Sequence, residues 1–240
     1  FAELLARAKI FLDQRKKEQE KIKQWEDLAD KAFYPADYVD NISALLIKAQ
    51  DEALMATNNM LEAVGAAVDY DFKKAVIILE NASGQILSKV LETHQWIKLY
   101  TDIEKIKRPS FSHFQSWDDL CKHIHNECGK FLDFLKRFVI WRDVDTFIKS
   151  ACLEVLNNIE NDISVKTVSE NLFISKAYLS EKFKKVTGVS LSDYINMVKM
   201  ERAKYLLTAT SMKTYEIADS LGYKDHEYFS KVFKKYAGLS

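Results

Sequence analysis

Apolar residues in the first thirty-two positions recur at three-and-four spacing: Leu4, Leu5, Ala8, Phe11 and Leu12, then Ile22, Trp25, Leu28, Ala29 and Ala32. That period predicts one helix over 1–32. Its middle, DQRKKEQEK (13–21), has no apolar residue. The element is therefore either a coiled-coil-like signalling helix with an interrupted seam or a plain exposed connector. Helical spacing continues over 36–107, with elements expected at 37–63 (broken or kinked), 70–81 and 83–107. Val76, Ile77, Leu79, Ile86, Leu87, Val90 and Leu91 form the wide stripes of a packed bundle. Gly65 and Asp69 mark a turn, and Arg108-Pro109-Ser110 punctuates the run. A helix over 116–138 follows. Ser116 is its N-cap, Asp118 and Asp119 lie in its first turn, and Trp117, Leu120, Ile124, Cys128, Phe131 and Leu135 make its core face. Another helix spans 144–159. After Asn161 the elements become short, with frequent caps and tight turns.

One of these short elements is written twice. YLSEKFKKVTGVS (178–190) and YFSKVFKKYAGLS (228–240) are identical at seven of thirteen positions. Around the first copy, a short helix over 165–172 points Val165, Val168 and Leu172 inward. A turn at Phe173–Ser175 follows, and Ser175 caps a helix over 176–186 with Leu179, Phe183 and Val186 inward. Gly188 stops that helix. Around the second copy, Ile217 and Leu221 point inward, Gly222 occupies the turn, and Asp225 caps a helix over 226–236 that buries Phe229 and Phe233. Ser169 and Ala218 are equivalent and small, as close helix crossing requires. Two short helices joined by a tight turn are a helix-turn-helix. The chain thus predicts two of them, joined by a helix over 191–210 whose roughly 17 helical residues span about 25 Å. Such a bar would place the two units on successive major grooves along one face of a duplex, since one turn of B-DNA is roughly 34 Å.

Composition agrees with an all-α chain: only two prolines and six glycines interrupt 240 residues that are 29% charged. Formal net charge is zero, but residues 161–240 hold 13 Lys and Arg against 9 Asp and Glu. The positive end permits nucleic-acid binding. Three cysteines are too few for a disulfide framework and suit reduced thiols in a cytoplasmic setting. No apolar run is long enough to span a membrane. The chain begins at Phe1 with a helical pattern already under way, as expected of a piece of something longer.

Base edges are met by the leading and outward positions of a recognition helix. Those are Lys176, Ala177, Ser180 and Glu181 in the first unit and His226, Glu227, Ser230 and Lys231 in the second. Ala177 suits only a thymine methyl, whereas Glu181 or Glu227 suits cytosine N4. Ser175, Lys184, Lys185, Lys234 and Lys235 suit phosphates; each lysine has a plain solvated surface charge as its alternative. Tyr178 and Tyr228 fit either core packing or phosphate hydrogen bonding. Cys121, His125 and Cys128 share one helix face and suggest a metal, but a core role for the two cysteines is the better fit. No cofactor loop and no catalytic spacing is present, so no enzyme and no cofactor is expected.

The strings SKAYLSEKFKKVTGVSLSDYI, ERAKYLL and YEIADSLGYKDHEYFSKVFKKYAG carry a further inference. Segment 148–240 resembles the DNA-binding domain of the AraC/XylS family of transcription regulators. The stretches MLEAVGAAVDYDFKKAVIILEN and SFSHFQSWDDLCKHI are similar to the middle region of YesN-like two-component response regulators. The resemblance implies an all-α output region without its receiver. Residues 1–32 would be a signalling helix, 33–143 a regulatory or dimerisation region, and 144–240 a double helix-turn-helix. It implies double-stranded DNA with an asymmetric site as partner. It leaves room for a homodimer contact through the N-terminal helix or the middle region, and for RNA polymerase. Two alternatives stay open: a regulator whose helical middle region senses a small molecule, and a helical interaction module that no longer binds DNA. The family usually has Arg at the place of Lys199.

Overall fold

The computed structural model describes residues 34–103, 109–139 and 146–238. The helix expected over 1–32, Arg108 and Val144 lie outside them. Every regular element among the described residues is helical.

Helix α1, Ala36–Ile47, buries Val39, Ile42, Ser43 and Leu46, one stripe at three-and-four spacing. Ala49, buried and at φ +50, turns the chain into α2, Glu52–Ala67. The expected break in 37–63 is this turn. Gly65, expected in a turn, lies instead inside α2. A Cβ there would come within 2.8 Å of the Tyr70 ring and 2.9 Å of Trp117, so the glycine serves close approach. The turn itself is made by Asp69 and Tyr70, at φ +51 and +57.

Helix α3, Phe72–Thr93, is capped by the Asp71 side chain, which accepts from the Lys73 and Lys74 amides. It corrects the expectation of two helices, 70–81 and 83–107. The expected split at residue 82 is absent, because Ala82, Ile86 and Val90 continue the buried face begun by Ala75 and Leu79. A continuous apolar stripe outweighs local propensity. The break falls at His94, before a short 3-10 helix, Gln95–Leu99. Helix α4, Trp117–Phe138, starts where expected, with Ser116 accepting from the Asp119 amide.

His94 ties the end of α3 to α1, its Nε2 donating to the Ile47 carbonyl at 2.9 Å. Burial holds its imidazole below its ordinary value; the Lys149 charge adds to this and the Ile47 bond opposes it. The native state therefore favours neutral His94, and its share of stability is complete above the unfolded value of about 6.5. That share is lost as the pH falls below it. Thermal melting should show the midpoint falling from pH 7 to pH 5, and falling less in a His94→Gln chain.

The remaining helices are α5 (Thr146–Asn157), α6 (Val165–Asn171), α7 (Lys176–Thr187), α8 (Leu191–Ala209), α9 (Thr214–Ser220) and α10 (His226–Ala237). Helix α8 is the axis. Tyr194, Val198, Lys199, Glu201, Arg202 and Leu206 are all buried on it, so it is covered nearly all round. Its 19 residues span about 28 Å.

A dense seam joins the first four helices to this axis. Trp96 packs against Phe138 and Phe134, with ring centroids 5.1 and 6.2 Å away. Tyr100 donates to the Leu156 carbonyl and Tyr194 to the Phe138 carbonyl. Arg202 spans the seam, bonding Glu160 through Nε and Nη2 and the Leu99 carbonyl through Nη1.

Candidate nucleic-acid interface

Two helix pairs flank α8, α6–α7 on one side of it in sequence and α9–α10 on the other, and they repeat each other closely. The Ile174 amide donates to the Ser169 carbonyl at 3.0 Å, and the Tyr223 amide to the Ala218 carbonyl at 2.9 Å. Ser169 and Ala218 are both buried beneath these turns. The left-handed position of the turn is Phe173 in one unit, φ +57, and Gly222 in the other, φ +76. Ser175 caps α7 by accepting from the Tyr178 amide, and Asp225 caps α10 by accepting from Tyr228. Each second helix ends on a left-handed glycine, Gly188 or Gly238. The stopping glycines are among the letters the two copies share, whereas the caps, Ser175 and Asp225, and the turn residues, Phe173 and Gly222, do the same work with different side chains.

The buried anchors are Leu179 and Phe183 on α7 and Phe229 on α10, with Phe233 half-buried. Val186, expected inward, is 38% exposed. It sits in the last turn of α7, beyond the point where the helix leaves the core. Tyr178 and Tyr228 are 51% and 59% exposed, so neither is a core residue.

The outward faces hold the expected reading residues. Lys176, Ala177 and Glu181 are exposed on α7, as are His226, Glu227 and Lys231 on α10; Ser180 and Ser230 are half-buried on the same faces. Ser230 donates to the His226 carbonyl at 2.8 Å. With its proton engaged, its hydroxyl is left to accept, which matches the amino groups of adenine or cytosine. Ser175, Lys184, Lys185, Lys234 and Lys235 are all exposed.

Several features near these faces escape sequence patterning. His226 Nε2 pairs with Asp219 Oδ1 at 2.7 Å, across the turn from α9. Lys182 lies 4.8 Å over the Phe147 ring and 5.6 Å over Tyr178. Glu201 on α8 accepts from Arg137 of α4 at 3.3 Å and from the Tyr236 hydroxyl of α10 at 2.7 Å. One carboxylate thereby links the first helix group to the second recognition helix. The one signal for this in the repeat is an unshared letter, Tyr236 standing where the first copy has Val186. Lys199 is buried, its ammonium 5.3 Å over the Tyr223 ring. That position is thus a core contact between α8 and the second turn.

The metal candidates separate. His125 bonds Asn58 at 2.8 Å, Cys128 sits 3.3 Å from the Thr57 hydroxyl, and burial pushes the Cys121 thiol up to about 11. No three potential ligands converge among the described residues.

Residues 168–240 match the family model described as a helix-turn-helix domain. Over 80 residues the chain is 38% identical to the Msm operon regulatory protein of Streptococcus mutans, covering 33% of this chain and 29% of that one. It is 38% identical over 82 residues to the transcriptional regulatory protein YesN of Bacillus subtilis, covering 33% of this chain and 22% of that one. A solved C-terminal domain of the two-component response regulator yesN from Fusobacterium nucleatum is 34% identical. That match covers 40% of this chain and 94% of that one, with a TM-score of 0.38. The chain spans less than a third of the length of the two curated relatives named. Through residues 168–240, the chain belongs to the AraC/XylS-type helix-turn-helix family.

Proposed function

We propose that this chain is a sequence-specific DNA-binding transcription regulator, not an enzyme, working in the cytoplasm. The observation that carries it is the pair of equivalent helix-turn-helix units on one buried bar, α8, with their leading side chains exposed. Lys176, Ala177, Ser180 and Glu181 read one half of the site, and His226, Glu227, Ser230 and Lys231 the other. Ser175, Lys184, Lys185, Lys234 and Lys235 hold phosphates. Because the units repeat in one direction along the chain, one copy reads an asymmetric site over two successive major grooves.

Upstream control is the finer part of the proposal. Residues 33–143 act as a regulatory region of the YesN-like kind, fed by residues 1–32, in the output part of a two-component response regulator. The support is the resemblance of the middle stretches and the Arg137–Glu201–Tyr236 junction, which gives that region a grip on α10. Dimerisation through 1–32 or the middle region would set two such sites side by side, and RNA polymerase would be met by the DNA-bound form. A second reading, direct ligand sensing, is favoured by a cavity of about 600 Å³ lined by Ile42, Met60, Ile86, Ile124 and Phe131. It expects an apolar compound to alter DNA affinity, whereas the first expects none to.

Gel shifts with two variants test the DNA assignment. Lys231→Ala should bind the preferred duplex about tenfold more weakly and lose preference in one half of the site. Lys184→Ala should weaken every sequence alike and reduce the salt slope by about one unit. Equal effects of both variants on all sequences would contradict the division of roles.

A further inference from the structure

Phe173 violates two preferences at once. Its backbone is at φ +57 and its side chain is 94% exposed. A bulky side chain disfavours the left-handed region, and a phenyl ring in water forgoes burial. The second unit makes the same turn with Gly222, around the same hydrogen bonds: Phe173 N–H to the Glu170 carbonyl, Gly222 N–H to that of Asp219, both at 3.0 Å. The turn therefore needs no ring, and the ring adds nothing to the core. Strain of this kind persists where function selects the residue.

Its position says what the ring meets. Two residues on, Ser175 caps α7. The leading end of a recognition helix is the end that enters the groove. A residue just ahead of that end stands at the groove's edge, where the sugar-phosphate chain passes. The exposed cations of α7, Lys176, Lys184 and Lys185, complement a polyanion. We propose that Phe173 is an apolar DNA contact of the first helix-turn-helix, its ring laid on a deoxyribose or thymine methyl at the groove edge. The inference rests on the DNA-binding function proposed above. It gives the first unit a grip that the second, with glycine there, lacks. An apolar contact displaces water and releases no counterion, so it adds affinity without adding salt dependence.

The test uses the full chain and a duplex that it selects from a randomised pool, at several salt concentrations, beside thermal melting. Phe173→Gly and Phe173→Asn both suit left-handed backbone and remove the ring. Both should melt no lower than the parent chain and bind the selected duplex about tenfold more weakly, with an unchanged salt slope. Phe173→Tyr, which keeps the ring, should bind like the parent. Parental affinity in both ring-less variants would overturn the proposal. So would intact DNA binding with lost transcription activation, which would place the ring on a protein. A fall in melting temperature in both variants that accounts for the lost affinity would also overturn it, by making the ring structural. If the parent chain selects no duplex at all, the DNA-binding function itself fails, a result distinct from these.

Discussion

Replacing Arg202 with alanine is expected to lower unfolding stability by about 3 kcal/mol, measured by urea denaturation of the full chain. The Arg202 side chain is 10% exposed and supports three contacts: two bonds to Glu160 and one to the Leu99 carbonyl. Its guanidinium also lies 5.2 Å over the Tyr205 ring. Alanine removes all of these and the packing of the aliphatic stem. The cost stays near the low end for a broken buried pair, because Glu160 is 45% exposed and regains water. Glu160→Gln should cost only about 1 kcal/mol, since the amide oxygen still accepts. Arg202 bonds the first helix group at Leu99, the end of its 3-10 helix, so its loss should also separate the unfolding of the two groups and lower the denaturant slope. An Arg202→Ala chain within about 0.5 kcal/mol of the parent would show that the seam is held by its aromatic residues alone.

Phe229→Ala is expected to cost about 3–5 kcal/mol, the range for a fully buried phenylalanine. Phe229 is fully buried and packs with its ring centroid 5.1 Å from Tyr223 and 6.0 Å from Phe233. Few other side chains bury on α10, so the cavity falls in a unit with little else to hold it. The second helix-turn-helix should loosen while the first stays folded, because α7 has its own anchors in Leu179 and Phe183. On DNA, the contacts of one half-site should vanish and those of the other remain. Leu179→Ala should produce the mirror result. Loss of both halves by either variant would mean that the two units fold as one.

Much of this arrangement was legible in the sequence wherever local chemistry and periodicity agreed. The caps Ser116, Ser175 and Asp225, the stopping Gly188 and the inward Leu179, Phe183, Ile217 and Leu221 all stand as their spacing predicts. Errors came where tertiary packing overrode a local signal. The boundary expected at residue 82 lies within α3, because the buried stripe runs straight through Ala82. Gly65 looks like a turn but is the gap that admits the Tyr70 and Trp117 rings. Val186 keeps the inward period yet lies past the end of the core. The exposure of the faces proposed to read bases follows from helix phase. Their long-range partners, Asp219 on His226 and Glu201 between Arg137 and Tyr236, depend on how helices cross, which no spacing along the chain encodes.

Hydroxyl-radical footprinting of the full chain on its selected duplex tests the two-unit arrangement most directly. Two protected patches about ten base pairs apart on one face of the duplex are expected, unlike in sequence. Phe229→Ala should erase one patch. A single patch, a palindromic pair from one chain, or binding with neither sequence preference nor salt sensitivity would contradict it.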